Sequence, residues 1–176
     1  MKNIDWNNVT EATDSRLTPG GYICGIVRAE DVPDKEYLRI EFDIAEGPYK
    51  NYFREMRDRM NLDTWPRAGV LIRSYKEKAQ PYFKAFLTAV QNSNAGYTFK
   101  NDESTLSRKL VGMVLGEEEY EYNGEVKTRL YVNAVRNVNA IQSGDYAVPN
   151  KKTLPAKAPS VNTYAPISDD DGDLPF

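Results

Sequence analysis

The chain has 176 residues, 28% of them charged, and a formal net charge of −3 from 23 Lys and Arg against 26 Asp and Glu. That is room for one domain with appendages. No apolar run is long enough to span a bilayer, and the residues after Met1 lack the charged-then-apolar order of a signal peptide, so a cytoplasmic protein is expected. One cysteine, Cys24, excludes an internal disulfide, and the lack of histidine removes the usual general base and the commonest metal ligand.

In chain order, residues 1–17 form a polar arm with one large apolar ring, Trp6, which either staples the arm to the body or stacks on a base. Thr18-Pro19-Gly20-Gly21 is turn chemistry, and the body is expected over residues 18–149. Residues 21–32 read as a strand. Residues 37–44 alternate, with Leu38, Ile40, Phe42 and Ile44 on one face and Tyr37, Arg39, Glu41 and Asp43 on the other. Glu46-Gly47-Pro48 breaks that strand, and residues 49–53 are expected to resume it. Residues 69–75 predict a third strand, with Val70 and Ile72 facing inward and Arg73 and Tyr75 outward. Over residues 81–93 the spacing turns helical, gathering Phe83, Phe86, Leu87 and Val90 on one face, with Pro81 suited to the first turn. Residues 110–122 and 126–136 predict two strands joined by Asn123-Gly124, the commonest tight hairpin signal. In the last strand Val126, Thr128, Leu130, Val132 and Ala134 share one face, and Lys127, Arg129, Tyr131 and Asn133 the other.

Three strands, a helix and a two-stranded hairpin are the order of an OB-fold, a β-dominated barrel of about five strands with a helix between strands 3 and 4. A generic α+β sandwich is the alternative. Residues 150–167 carry several prolines among small polar residues and read as a disordered linker. It leads to an acidic tip, residues 168–176, in which Asp169, Asp170, Asp171 and Asp173 precede Leu174, Pro175 and Phe176. An acidic run ending in an aromatic ring suits a partner with a basic rim and an apolar pocket.

The outward faces repeatedly pair tyrosine with a cation: Tyr37 with Arg39, Arg73 with Tyr75, and Tyr131 with Arg129 and Lys127. Between the second and third strands lie Tyr49, Lys50, Tyr52, Arg54 and Arg57. Single-stranded nucleic acid needs both chemistries, because cations follow phosphates and rings stack on bases for about 1–3 kcal/mol each, largely without regard to sequence. Residues 50–109 hold twelve Lys and Arg against six Asp and Glu, a surplus of about six positive charges within an acidic chain. Each residue also has a structural use. Phe53 and Trp65 suit a core, Arg54 and Arg57 suit pairs with Glu55 and Asp58, and Tyr37 and Tyr131 suit a cross-strand contact. Cys24, between Ile23 and Gly25, reads as inert core. Glu117, Glu118, Glu119 and Glu121 suit a charged hairpin edge better than a Mg²⁺ site, so no enzyme, metal or cofactor is expected.

The tip resembles the acidic C-terminal tip of bacterial single-stranded DNA-binding proteins, which recruits replication and repair enzymes. The body resembles the single-stranded DNA-binding proteins of phages and prophages of low-GC Gram-positive bacteria. The likeness rests on Leu17-Thr18-Pro19-Gly20-Gly21-Tyr22, Glu36-Tyr37-Leu38, Phe42-Asp43-Ile44-Ala45-Glu46-Gly47, Ser93-Asn94-Ala95-Gly96-Tyr97, and residues 112–119 followed by Tyr120. The resemblance implies an OB-fold that coats exposed strands during phage DNA replication and recombination in the bacterial host cell, without enzymatic activity. The body does not closely follow the bacterial housekeeping version, and Gly172 interrupts the aspartates, so that family's tetramer does not carry over. Two other readings stand beside this one: a protein-interaction adaptor and, more distantly, a Mg²⁺-dependent nuclease. With the groove empty, residues 169–173 are expected to fold back into it as a DNA mimic.

Overall fold

Leu38, Ile40, Phe42 and Ile44, set two residues apart, are each at most 2% exposed and form the centre of the core. They belong to strand β2, Tyr37–Ile44. The computed structural model describes residues 2–5, 7 and 16–156. Among these the strands are β1 (Gly20–Val32), β2, β3 (Val70–Ser74), β4 (Leu110–Tyr122) and β5 (Glu125–Arg136). The helices are α1 (Tyr52–Arg59), α2 (Gln80–Ser93) and α3 (Val138–Ser143). The strands form one antiparallel sheet in the order β3-β2-β1-β4-β5. The fold is thus strand-dominated, with the expected helix between the third and fourth strands. No described helix is long and apolar enough to cross a membrane.

Local chemistry explains the joints. Asn123 and Gly124 both take positive φ, 52° and 78°, which the tight β4–β5 turn requires. Helix α2 buries Phe86, Ala89 and Val90 and carries Pro81 in its first turn. Its end is pinned by Asn94, whose amide donates to Val90 O at 2.7 Å and Leu110 O at 2.8 Å and accepts from Leu110 N at 3.0 Å. The helix and the start of β4 therefore meet at a fixed distance. Phe53 and Trp65 are core, and the Trp65 indole donates to Phe42 O at 3.0 Å. Leu17, at the end of the expected arm, is buried in the same core.

Three expectations are corrected. Residues 49–53 do not resume a strand, because helix α1 starts at Tyr52 after Asn51 takes the left-handed conformation. On β3 the faces are reversed. Leu71 and Arg73 stand opposite Ile40 and Leu38 on the core side, and Ile72 is 43% exposed. Val70-Leu71-Ile72 is a continuous apolar run, so its phase is set by pairing with β2 rather than by its own pattern. On β5 a bulge opposite Val114 and Leu115 shifts the phase, so Leu130, Val132 and Val135, not Ala134, pack against the core.

A second apolar layer covers the opposite face of β1 and β4. Val114 is fully buried yet lies outside the main core cluster. Glycines beside it let side chains sit directly on the strands. A Cβ on Gly112 would stand 2.4 Å from Ile141, one on Gly21 2.4 Å from the Tyr146 ring, and one on Gly116 2.7 Å from Pro149. Helix α3 and the chain after it are therefore docked onto the sheet. The expected linker also begins in contact: Lys152 N–H donates to Glu117 O at 3.0 Å, and Glu119 N–H donates to Lys152 O at 2.8 Å. Residue 152 thus pairs with β4 beyond the point where β1 leaves it.

Candidate nucleic-acid interface

The outer face of β2 is less open than its polar residues suggest. Glu41 is 8% exposed and Asp43 5%. Asp43 Oδ1 accepts from Ile44 N and Phe53 N, both at 2.9 Å, and Oδ2 accepts from Arg54 N at 3.1 Å. A carboxylate from β2 thereby satisfies the free N–H groups at the start of α1, which no side chain of the helix itself caps. This fixes α1 against the sheet and sets Arg54 and Arg57, three residues apart, on neighbouring positions of one helix face.

Two clefts, each of about 440 Å³, lie along this face. The first runs between α1 and the turn before β4, and its polar walls are Lys50, Asn51, Arg54, Ser107, Arg108 and Asp43. The second lies further along β1 and β2, between Arg28, Glu30, Arg39 and Glu41 on one side and Arg57, Asp63 and Trp65 on the other. Their electrostatics differ. In the second, Arg28 pairs with Glu30 at 3.1 Å and Arg39 pairs with Glu41. In the first, none of Lys50, Arg54 and Arg108 forms a salt bridge with a described residue.

The tyrosines of this region pack edge-on. Tyr22 meets Tyr49 at 6.0 Å between centroids, and Tyr49 meets Tyr52 at 6.2 Å. Tyr22 donates to Thr18 O at 2.6 Å, and burial pushes its phenol above the ordinary value. Tyr49 and Tyr52 are half-buried, and both pack against the core.

The β4–β5 hairpin carries a second set. Register places Tyr120 opposite Lys127, Glu118 opposite Arg129 and Gly116 opposite Tyr131, all on one face. Arg129 bonds Glu118 at 2.7 Å while its guanidinium lies 4.8 Å over the Tyr120 ring. Lys127 stands 5.0 Å over Tyr122. Tyr131 is half-buried, with Lys152 4.0 Å over its ring. On the other face Glu119 meets Lys151 Nζ at 3.2 Å and Leu154 N at 3.2 Å. Among the described residues no three His, Cys, Asp or Glu are placed to hold a metal ion. Cys24 is buried, and that burial pushes its thiol well up.

The twelve residues expected to bind nucleic acid therefore fall into three places. Arg39, Tyr49, Lys50, Tyr52, Arg54 and Arg57 gather along β2 and α1, with Tyr37 half-buried further along β2. Lys127, Arg129 and Tyr131 share the hairpin face. Arg73 and Tyr75 join neither group, because the reversed phase of β3 turns them to the core side. Burial lowers the Arg73 pKa, and its Nε has no hydrogen-bond partner among the described residues. The Tyr75 ring stacks on Phe83 at 5.8 Å, its hydroxyl donates to Asp31 at 2.6 Å, and burial ahead of that bond raises its pKa. Sequence reasoning missed Arg28, Arg108, Tyr120, Tyr122 and Lys152. Alternation on the hairpin marks Tyr120 and Tyr122, whereas Arg108 and Lys152 are placed only by tertiary contacts. The tip residues Asp169, Asp170, Asp171, Asp173, Leu174, Pro175 and Phe176 lie outside the described residues, as does Trp6. Compared with known proteins, the chain matches no family model and no curated sequence.

Proposed function

We propose that the body is an OB-type barrel that binds single-stranded DNA without catalysis and largely without regard to sequence. It would serve phage DNA replication, recombination and repair in the host cytoplasm, with the acidic tip recruiting partner enzymes. The observation that carries this reading is the β1–β2 face beneath α1. There six cations, Arg28, Arg39, Lys50, Arg54, Arg57 and Arg108, line two successive clefts, and the half-buried Tyr49 and Tyr52 flank Lys50 and Asn51 in the chain. Phosphates would follow the cations while bases meet rings there and on the Tyr120–Tyr122 hairpin face. The approach of β5 to residues 67–69, which lead into β3, supports the barrel by drawing the two ends of the sheet together.

Titrating oligo(dT) into the full chain at two salt concentrations, with Trp and Tyr fluorescence as readout, tests the reading. Saturable quenching that weakens with salt is expected. No quenching and no retained strand would overturn it in favour of a protein-interaction adaptor. Shortening of the oligonucleotide in Mg²⁺ would overturn the non-catalytic assignment.

A further inference from the structure

The two clefts look alike in volume and cation count but differ in what their cations are doing. Arg28 and Arg39 already answer carboxylates of the same sheet. Lys50, Arg54 and Arg108 converge on the first cleft from three separate pieces of chain: the turn after β2, helix α1 and the turn before β4. None of the three meets a carboxylate of a described residue within salt-bridge distance. The acidic residue on the wall, Asp43, directs both oxygens at backbone N–H groups of Ile44, Phe53 and Arg54. Three cations against this one carboxylate leave a net positive charge in a concave site whose rim also holds Ser107 and Asn51.

The backbone at Arg108 carries the argument further. Its φ is 66°, a left-handed conformation that glycine or asparagine adopts at much lower cost than arginine. The strain is held in place from both sides. Arg108 N–H donates to Ile26 O at 2.8 Å, Ile26 N–H donates to Lys109 O at 2.9 Å, and Ser107 Oγ donates to Val27 O at 3.2 Å. These bonds fasten the turn to the bulge of β1 between Ile26 and Arg28. Asn51, on the opposite wall, is likewise left-handed at φ 64° and is tied to Ile44 O at 2.9 Å. Two of the described non-glycine residues with positive φ thus face each other across one cleft, and one of them is a residue poorly suited to that backbone.

From this we infer that the cleft between α1 and the turn at residues 107–108 is a phosphate site that seats one backbone phosphodiester of the bound strand. Lys50, Arg54 and Arg108 supply the charge, and the Asn51 amide supplies a neutral donor. The inference rests on the single-strand reading and specifies where the strand is anchored. The paired arginines of the neighbouring cleft contribute less, because a phosphate there must first displace Glu30 or Glu41.

The strained backbone makes the test clean. Arg108→Gly removes the guanidinium while putting the residue best suited to positive φ in its place, so the fold is expected to hold its Tm within about 3 °C. Oligo(dT) affinity is measured across salt for the full chain, Arg108→Gly, Lys50→Ala and, as a control at an exposed cation of α2 that lines neither cleft, Lys84→Ala. One lost phosphate contact lowers the slope of log K against log salt by about 0.7 for single strands. Arg108→Gly and Lys50→Ala are each expected to show that loss and to bind roughly 5–10-fold more weakly at low salt, with Lys84→Ala close to the unaltered chain. If the unaltered chain binds while Arg108→Gly and Lys50→Ala keep its slope, the phosphate site is wrong and strand binding stands. If the unaltered chain does not bind at all, both fall together.

Discussion

Replacing Asp43 by alanine removes the acceptor for three backbone N–H groups at once, and the structure says how unequal those losses are. Phe53 is fully buried, so its N–H, held at 2.9 Å, has no route to water once the carboxylate is gone. An orphaned buried donor costs about 1–3 kcal/mol. Arg54 is exposed, and water replaces the 3.1 Å bond to its N–H at a cost of roughly 0.5 kcal/mol. The bond to Ile44 N is buried and adds about 1 kcal/mol. We expect Asp43→Ala to lower stability by about 2.5–4.5 kcal/mol, read as a fall in the urea midpoint at unchanged m. The same change frees the start of α1, so oligo(dT) affinity should drop at temperatures where the variant is still folded, since Lys50, Arg54 and Arg57 lose their common support. A midpoint shift worth less than about 0.5 kcal/mol would refute the view that this carboxylate holds α1 to the sheet.

Gly112→Ala places a Cβ 2.4 Å from Ile141 and 2.8 Å from the Arg136 carbonyl, which as backbone gives way poorly, and we expect a loss of about 1–3 kcal/mol in urea unfolding; a neutral result would mean α3 docks loosely. The Leu154 N–H first, and Lys151 second, hold the half-buried Glu119 carboxyl below its ordinary pKa. A folded value below the unfolded one means the contact is present above the ordinary glutamate range and is lost as pH falls through the depressed value. The Leu154 amide resonance should therefore titrate below that range, and a midpoint at or above it would contradict the contact. Deleting residues 168–176 should tighten oligo(dT) binding at low salt and make little difference at high salt, and an unchanged low-salt affinity would count against the tip as a DNA mimic.

Where one residue's pattern answered to one partner, the fold was legible in the sequence. The alternation of β2, the helical face of α2 and the Asn123-Gly124 turn each depend on local periodicity or on backbone freedom, and each stands where expected. What was illegible depended on distant partners. Helix α1 starts because Asp43, nine residues before Tyr52, caps it, and eight residues are too few for propensity alone to reveal. The β3 phase came from its neighbour, and the bulges in β1 and β5 shift face assignments that a strict period of two carries past them. The candidate site divided in the same way. Lys50, Arg54 and Arg57 stand out through local charge, whereas Arg108 is placed in the cleft by bonds of its turn to β1 that no local pattern shows. Arg73 was drawn in by a tyrosine neighbour that belongs to the α2 side.

The bare strand positions at Gly21, Gly112 and Gly116 set a limit on where the chain can be cut. Shortening it back to residue 156 leaves Ile141, Tyr146 and Pro149 in their seats. Stopping before residue 146 strips Tyr146 and Pro149 from the sheet and wets Val114. Such a fragment would precipitate or unfold for reasons unrelated to DNA or to recruited enzymes, so experiments on the acidic end have a natural stopping point just past Leu154.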